Sequence, residues 1–373
     1  MAKLSEVLAQ SEKAERPSLV WLPRLRLLCA YYFVVRRVHE RMRRGLKRMR
    51  VSRSEFYSGI WRRAVESSGA RLRVLSDGVA IIERGGTSIR VCDNVTSLDS
   101  AVAVARAEDK PVVRSLLARS GIAVPKGISL EFAEFEKALC MLQSSPQPLV
   151  VKPAEATSGG AGVTTNVTNA RQLRIAFAWA RSFCPRVLIE RQVQGDCYRV
   201  LVMDGEVLDT VVRHPPRIVG DGVSTVSQLI RRENNSRLKA GATRAQVLIG
   251  FDPDLYNTLA SQGLKLRSIP AVGEAVVLKG VINDNGGSDN VPVNGRLCEA
   301  ILESACRAAK VVEARLAGID IICSDPAVPL EVSGGAVIEV NTAPGLYYHY
   351  HRTDSSIPIA DRVLHRVFEL ATD

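Results

Sequence analysis

The sequence predicts a mixed α/β protein of the α+β kind, with acids presented on strands. Three observations lead there. Apolar runs of strand length alternate with segments whose apolar residues recur every three or four positions. Asp204-Gly205 sits between two strand-like runs, 199–203 and 206–212, as a hairpin turn does. Two late strands, Gly318-Ile319-Asp320-Ile321 and Val337-Ile338-Glu339-Val340-Asn341, carry acids among apolar neighbours. With 46% hydrophobic and 24% charged residues, the 373 positions have a globular balance and suffice for two or three subdomains.

From the N-terminus, residues 21–53 hold eleven Lys or Arg and one acid, Glu40. This stretch carries +10 of a net charge of +11, so the rest of the chain is close to neutral. Leu27, Tyr31, Val34, Val38, Met42, Leu46 and Met49 recur at helical spacing, and Arg36, Arg37, Arg41, Arg43, Arg44, Lys47 and Arg48 crowd the other faces. The plain expectation is a helix docked on its own domain with a solvated basic face. The functional expectation is an acidic protein partner or acidic substrate, or a homo-oligomer formed through this helix. An anionic membrane surface or nucleic acid ranks below those.

Residues 1–68 are thus read as a basic helical N-terminal extension, and 69–108 as a small α/β lead-in. In the lead-in, β-type runs at 72–75, 79–83 and 88–92 are separated by turns at Ser76-Asp77-Gly78 and Gly85-Gly86, and a helix follows over 96–107. Asp109-Lys110 opens a further helix through Ala118, which Gly121 ends.

Leu149-Val150-Val151-Lys152-Pro153 is a buried-type strand with a lysine near its end. Lysine is rarely buried without a partner, and a phosphate would be one. Residues 157–165 then bring three glycines and four hydroxyls, a loop whose backbone N–H groups can approach phosphate oxygens. It matches neither a Walker A loop nor a dinucleotide fingerprint, and an ordinary hairpin tip is the alternative. Asn169 caps a helix to Ser182, and Val187-Leu188-Ile189-Glu190 is a strand ending in an acid. Its continuation, Arg191-Gln192-Val193, is an edge able to hydrogen-bond an adenine. Arg213 and Arg217 leave the hairpin positioned to meet anions, and with Arg199 they suggest an anionic carboxylate substrate. A helix is expected over 226–233, while 234–263 is polar, helical in parts and otherwise uninformative. A strand over 276–279 ends on Lys279, and a loop follows at 283–288. A long helix is expected over 295–316, with Leu297, Ile301, Ala305, Ala308, Val312 and Leu316 on one face and Gly318 as its stop. An amphipathic helix over 357–370 closes the chain.

Glu339 and Asn341 are two apart, so on a strand they share a face. Asp320 from a neighbouring strand could complete a hard-oxygen cluster of the kind Mg²⁺ takes together with nucleotide phosphates. The alternative is that these strand acids pair with nearby Arg or Lys. Cys29, Cys92, Cys140, Cys184, Cys197, Cys298, Cys306 and Cys323 contain no C-x-x-C pair, which points to free thiols rather than a disulfide framework or a zinc site. No signal peptide and no long apolar run is seen, so a cytoplasmic location is expected.

Taken together, the stretches TSLDSAVAVARAEDK, LLARSGIAVPKG, LVVKP, GGAGVTTN, VLIERQVQG, YRVLVMDGEV, RHPPRIVGDGVSTVSQLI, AGIDII and VIEVNTAPGL resemble, in order, those of the ATP-grasp superfamily. The likeness is closest to the ATP-grasp domain of cyanophycin synthetase, with glutathione synthetase and the ribosomal-protein glutamate ligases more distant. It runs from about Thr96 to about Leu370. The Mur-ligase-like domain of cyanophycin synthetase finds no counterpart before Asp373, so a stand-alone ATP-grasp ligase is expected.

The resemblance implies an ATP-grasp domain over 109–373, with a lid-type subdomain at about 109–190 and a C-terminal subdomain at about 191–373. It implies an ATP-dependent ligase that forms an amide from a carboxylate and an amine through an acylphosphate. ATP and Mg²⁺ are the implied cofactors, with Mn²⁺ as a substitute, and an amino acid or short peptide is the implied substrate. Lys110 and Lys152 match the lysines on the nucleotide phosphates, and Ser158, Gly159, Gly160, Gly162 and Val163 fall in or beside the loop that closes over them. Glu190, Gln192 and Val193 match the adenine side. Arg213 and Lys279 match the cations near the γ-phosphate and acyl oxygens, Lys279 standing where arginine is usual. Asp320, Glu339 and Asn341 match the Mg²⁺ ligands. Two departures stand out. Cys197 replaces the acid expected seven residues after Glu190 for the ribose, with Asp196 beside it. The glycine loop is one residue longer and carries Ala161 where a basic residue is common. An ATP-grasp phosphotransferase and a nucleotide-binding partner protein without turnover are the alternative functions.

Overall fold

A computed structural model describes residues 21–42, 47–155, 157, 159–240, 248–282, 290–293, 295–350 and 358–372. Two helices come first, α1 (Trp21–Met42) and α2 (Lys47–Ser68). Strands β1 (Arg71–Ser76), β2 (Val79–Arg84) and β3 (Thr87–Cys92) form an antiparallel sheet in that order, turning where the glycines predict. The predicted helix at 96–107 starts later, as α3 (Ala101–Glu108), because Ser100 caps it. Asp99 is engaged instead with the backbone N–H of Arg315. Helix α4 (Lys110–Arg119) follows at once, capped by Asp109, with Pro111 in its first turn.

The next sheet has the order β4-β7-β5-β6, from β4 (Gly127–Leu130), β5 (Leu149–Pro153), β6 (Thr164–Val167) and β7 (Val187–Arg191). Helices α5 (Phe135–Ser144) and α6 (Ala170–Arg181) cover its back, with Phe135, Leu149, Leu173 and Phe177 fully buried between them. All its strand pairs are antiparallel.

The largest sheet has five strands in the order β12-β9-β8-β13-β14. It contains the predicted hairpin of β8 (Asp196–Met203) and β9 (Glu206–Arg213) around Asp204 and Gly205, both at positive φ. Between β9 and the rest of the sheet, the chain makes β10 (Arg217–Val219), α7 (Val226–Ala240), α8 (Pro253–Ser261) and β11 (Ala275–Val277), with β10 paired to β11. Strand β12 (Asn290–Pro292), helix α9 (Glu299–Val312) and β13 (Leu316–Cys323) come next. The short helix α10 (Leu330–Ser333), β14 (Ala336–Thr342), the short helix α11 (Tyr347–Tyr350) and α12 (Ile359–Thr372) complete the chain.

Helices lie on both sides of the five-stranded sheet, so β13 is apolar almost throughout. Ile319 and Ile321 pack under α9. The opposite face carries Leu201, Leu208 and Leu316 under α2 and α12 at one end. At its other end the same face carries Arg199, Asp320 and Glu339, which oppose one another across three strands. The site therefore begins where the hydrophobic cover of that face stops.

Four expectations are corrected. The helix expected at 295–316 ends at Val312, where Glu313 takes a left-handed conformation, and Leu316 is the first residue of β13. Gly318 is not a helix stop but a mid-strand residue over which the Arg199 side chain passes. A Cβ there would lie 2.5 Å from Arg199 Nη1 and 3.0 Å from Pro344 Cβ. Gly318→Ala is expected to destabilise by about 1–3 kcal/mol and to push Arg199 off Asp320. Chemical denaturation checks the first effect, and an unchanged midpoint would refute it. The strand expected at 276–279 stops at Val277, so Lys279 lies just past it. The apolar row expected to dock α1 is reversed: Leu25 is buried while Leu27, Tyr31 and Val34 face solvent. The side chains of Val38, Met42, Leu46 and Met49, and those of Arg41, Arg43, Arg44, Lys47 and Arg48, lie outside the described residues, as does the loop at 283–288. The helix expected in parts of 234–263 is found at 253–261, where it packs on β6 and helps wall the cleft, a placement the sequence did not signal.

Candidate active site

A cleft of about 460 Å³ opens between the four-stranded sheet and the polar end of the five-stranded sheet. Lys110, Lys152, Gly160, Val163, Glu190, Gln192, Val193, Asp196, Arg213, Lys279, Asp320 and Glu339 line it. Residues predicted from eight separate stretches of sequence thus converge. Gly159 and Gly162 take positive φ in the loop above. Gly162 backs onto Pro153 and Phe183, where a Cβ would come within 2.6 and 2.8 Å of ring carbons, so its role in the fold is close packing. Ser158 lies outside the described residues.

Lys110, Lys152, Glu190, Arg213, Lys279, Asp320 and Glu339 each have a charged partner, and register explains several of the pairings. Val150 opposes Glu190 and Lys152 opposes Leu188 across β5 and β7, which places Lys152 and Glu190 diagonally on one face. Their Nζ and Oε2 are 2.6 Å apart, and both side chains are nearly buried. The expected phosphate lysine and adenine-side acid are therefore joined to each other. Lys110, at the start of α4, donates to Thr157 O at 3.2 Å and lies 3.3 Å from Glu339 Oε1.

On the other wall Asp320 opposes Arg199 directly. Arg199 Nε and Nη2 donate to its two carboxylate oxygens at 2.6 and 2.9 Å, and Arg213 Nη1 approaches at 3.5 Å. Burial would raise the Asp320 pKa, but the two guanidiniums outweigh it and hold the carboxyl below its usual range. Asn341 Nδ2 lies 3.3 Å from both Asp320 Oδ2 and Gly318 O. The alternative reading, strand acids paired with Arg and Lys, thus describes both acids as they stand.

The same residues also suit a divalent cation. Two carboxylates and an amide oxygen on adjacent strands are the donors Mg²⁺ takes when phosphates and water complete its shell. Glu339 is the more open acid, its side chain 27% exposed against 10% for Asp320. Among the described residues, no group of three or more His, Cys, Asp or Glu is placed to hold a metal ion. This donor set, with one amide, is fit to share an ion with a ligand rather than to cage it.

Some expectations are not met by position. Arg217 is exposed on β10 and does not line the cleft, and Arg199 is committed to Asp320. Gln192 lines the cleft but exchanges two hydrogen bonds with Asn166, at 2.8 and 3.2 Å. Cys197 is buried, and burial together with the nearby Asp320 pushes its thiol up to about 12, so it stays neutral. Asp196 beside it is exposed at the lip.

Other residues went unread in the sequence. Asp252 caps α8 and holds Lys279 Nζ at 2.6 Å. Asp254 accepts from Thr165 N and Oγ1 at 2.7 and 2.6 Å and from Val281 N at 3.1 Å, tying β6 to the segment after Lys279. Asp252-Pro253-Asp254 is a helix-start signature that could have flagged both. Arg186 bridges Asp109 and Glu155, bracing the strand exit after Lys152 against the cap of α4.

The antiparallel sheets and the lysine-lined cleft between them define an ATP-grasp protein. No family model matches the chain. Cyanophycin synthetase from Trichormus variabilis is 29% identical over 262 residues, covering 70% of this chain and 29% of that protein. The glutathione biosynthesis bifunctional protein of Listeria innocua is 31% identical over 281 residues, covering 74% of this chain and 36% of that one. The crystal structure of a bifunctional glutathione synthetase from Pasteurella multocida matches with a TM-score of 0.52 at 25% identity, over 82% of this chain and 43% of that chain. The chain belongs to the ATP-grasp ligase family. It spans about a third of the length of the curated relatives it matches.

Proposed function

We propose that the chain is an ATP-dependent carboxylate–amine ligase that works through an acylphosphate. The observation that carries this is the convergence of Lys110, Lys152, Arg213, Lys279, Asp320 and Glu339 on one cleft. The family relationship supports the same reading. In it, residues 109–190 form the lid-type half and 191–373 the second half of the domain.

Lys110 and Lys152 would hold the nucleotide phosphates, with the glycine loop at 159–163 above them. Glu190, Gln192 and Val193 would form the adenine side. Asp196 is the acid available to the ribose, since Cys197 is a neutral thiol. Asp320, Glu339 and Asn341 would hold Mg²⁺ or Mn²⁺, which when bound supplies charge cancellation across the phosphates. Arg213 and Lys279 would meet the negative charge that develops on the transferring phosphoryl group and the acyl oxygen, Lys279 as a point charge. A substrate carboxylate oxygen attacks the γ-phosphorus and ADP leaves. The amine nitrogen then attacks the acyl carbon, inorganic phosphate leaves, and the nitrogen gives up a proton. Lining by Arg213 favours an anionic carboxylate substrate, an amino acid or short peptide.

The test is ADP release from pairs of amino acids and amines, with mass spectrometry of the products. ADP formed only when acid and amine are both present, with the condensed mass, is the expected result. A stable phosphorylated product with no need for an amine would make the protein a phosphotransferase. No ADP with any pair would leave a nucleotide-binding partner protein.

A further inference from the structure

Helix α1 is apolar on two sides. One side docks on α6 and the sheet beneath it: Leu25 is fully buried there, Leu28 and Cys29 pack beside it, and Tyr32 meets Trp179 edge to face. The other side faces solvent. Leu27, Tyr31 and Val34 are 71%, 60% and 60% exposed, and Ala30 is exposed with them. The spacing of these four residues makes one row along the helix. Scattered exposed apolar residues are ordinary, but a continuous row on one helix marks a contact surface.

Arginines border this row on both sides. Arg24 stands on the side of Tyr31, two turns before it, and Arg26 and Arg37 lie along the opposite edge with Phe33; all are exposed. That edge runs into a shallow groove of about 570 Å³ between α1 and the end of α6. Arg26 and Arg181 both stack on Phe132 there, and Arg37 stacks on Phe33 at 4.8 Å. A guanidinium stacked on a ring keeps its donor edge free for phosphate oxygens.

We propose that this face seats the protein on an anionic phospholipid bilayer, with α1 lying in the plane of the interface. The apolar row would enter the boundary of the acyl chains while the flanking arginines reach the headgroup phosphates. The charge of +10 over residues 21–53, on a chain otherwise near neutral, supplies the attraction. A nucleic acid would pair with the arginines but leave Leu27 and Val34 without a use. A lipid surface engages both at once. No helix among the described residues is long and apolar enough to cross a membrane, so the association is peripheral through this face. The proposal is independent of the ligase reading.

The full chain is sedimented with vesicles of phosphatidylcholine alone, and of phosphatidylcholine and phosphatidylglycerol in equal parts. Retention by the anionic vesicles only, weakened by salt, is expected. Replacing Leu27→Ser, Tyr31→Ser and Val34→Ser together should cut the partition by at least about tenfold, since one buried aliphatic side chain is worth that factor. Arg24→Gln with Arg37→Gln should cost about fivefold per arginine. All five positions are exposed, so the melting temperature should not move; if the triple variant melts early, the arginine pair carries the test. Three results overturn the proposal: no retention of the wild type by anionic vesicles at low salt, undiminished retention of the folded variants, or binding to polyglutamate or duplex DNA without binding to vesicles.

Discussion

Glu339→Gln is expected to lower ADP formation by about 10²–10³-fold while leaving the melting temperature nearly unchanged. The substitution keeps the shape of the side chain and removes only its charge. Glu339 is partly open and pairs with Lys110 at 3.3 Å, so the fold has little invested in it. Asp320→Asn should cost a similar factor in turnover and also about 3–5 kcal/mol of stability, because Arg199 and Arg213 would be left buried without their carboxylate. The pH dependence separates the two terms. The folded-state pKa of Asp320 is depressed, so its contribution is present above the ordinary aspartate value of about 4 and is lost as pH falls through the folded value. The gap in melting temperature between wild type and Asp320→Asn should therefore close on acidification below about pH 4. Unchanged turnover in Glu339→Gln would remove the basis for assigning the cation to this cluster.

Lys152→Met is expected to abolish turnover and to cost about 3–5 kcal/mol, since it strands the Glu190 carboxylate in a buried position. Adding Glu190→Leu should restore most of the stability, because a buried ion pair is often replaced by apolar groups at little cost. It should restore none of the turnover. The two variants together separate the lysine that holds the sheet from the lysine that meets the ligand. Urea denaturation gives the first quantity and ADP release the second. Wild-type turnover in the folded double variant would show that Lys152 serves only its partner.

Much of the fold could be read in advance, and the reasons are local. Asp204-Gly205 dictates a hairpin because both residues tolerate positive φ. Asn169 and Asp109 cap their helices through their own side chains, accepting from residues three along. Strands β5 and β7 follow from short apolar runs between turn residues. Where reading failed, two local signals competed. Gly318 looked like a helix stop because a helical apolar face preceded it, and only the passage of Arg199 shows why the position lacks a side chain. Row Leu27, Tyr31, Val34 looked like the docking face, yet Leu25, Leu28 and Tyr32 form a second row, and α6 selects that one.

By itself, the sequence determined the mixed α+β character, the types of residue available to a site, and the concentration of positive charge near the N-terminus. These depend on side-chain periods, caps and turns that span a few residues. Tertiary structure alone decided who meets whom: Asp320 with Arg199 across 121 positions, Lys152 with Glu190, and Asp254 with Thr165 across 89. Strand register and helix docking set those meetings, and burial makes each charge dependent on the partner it finds.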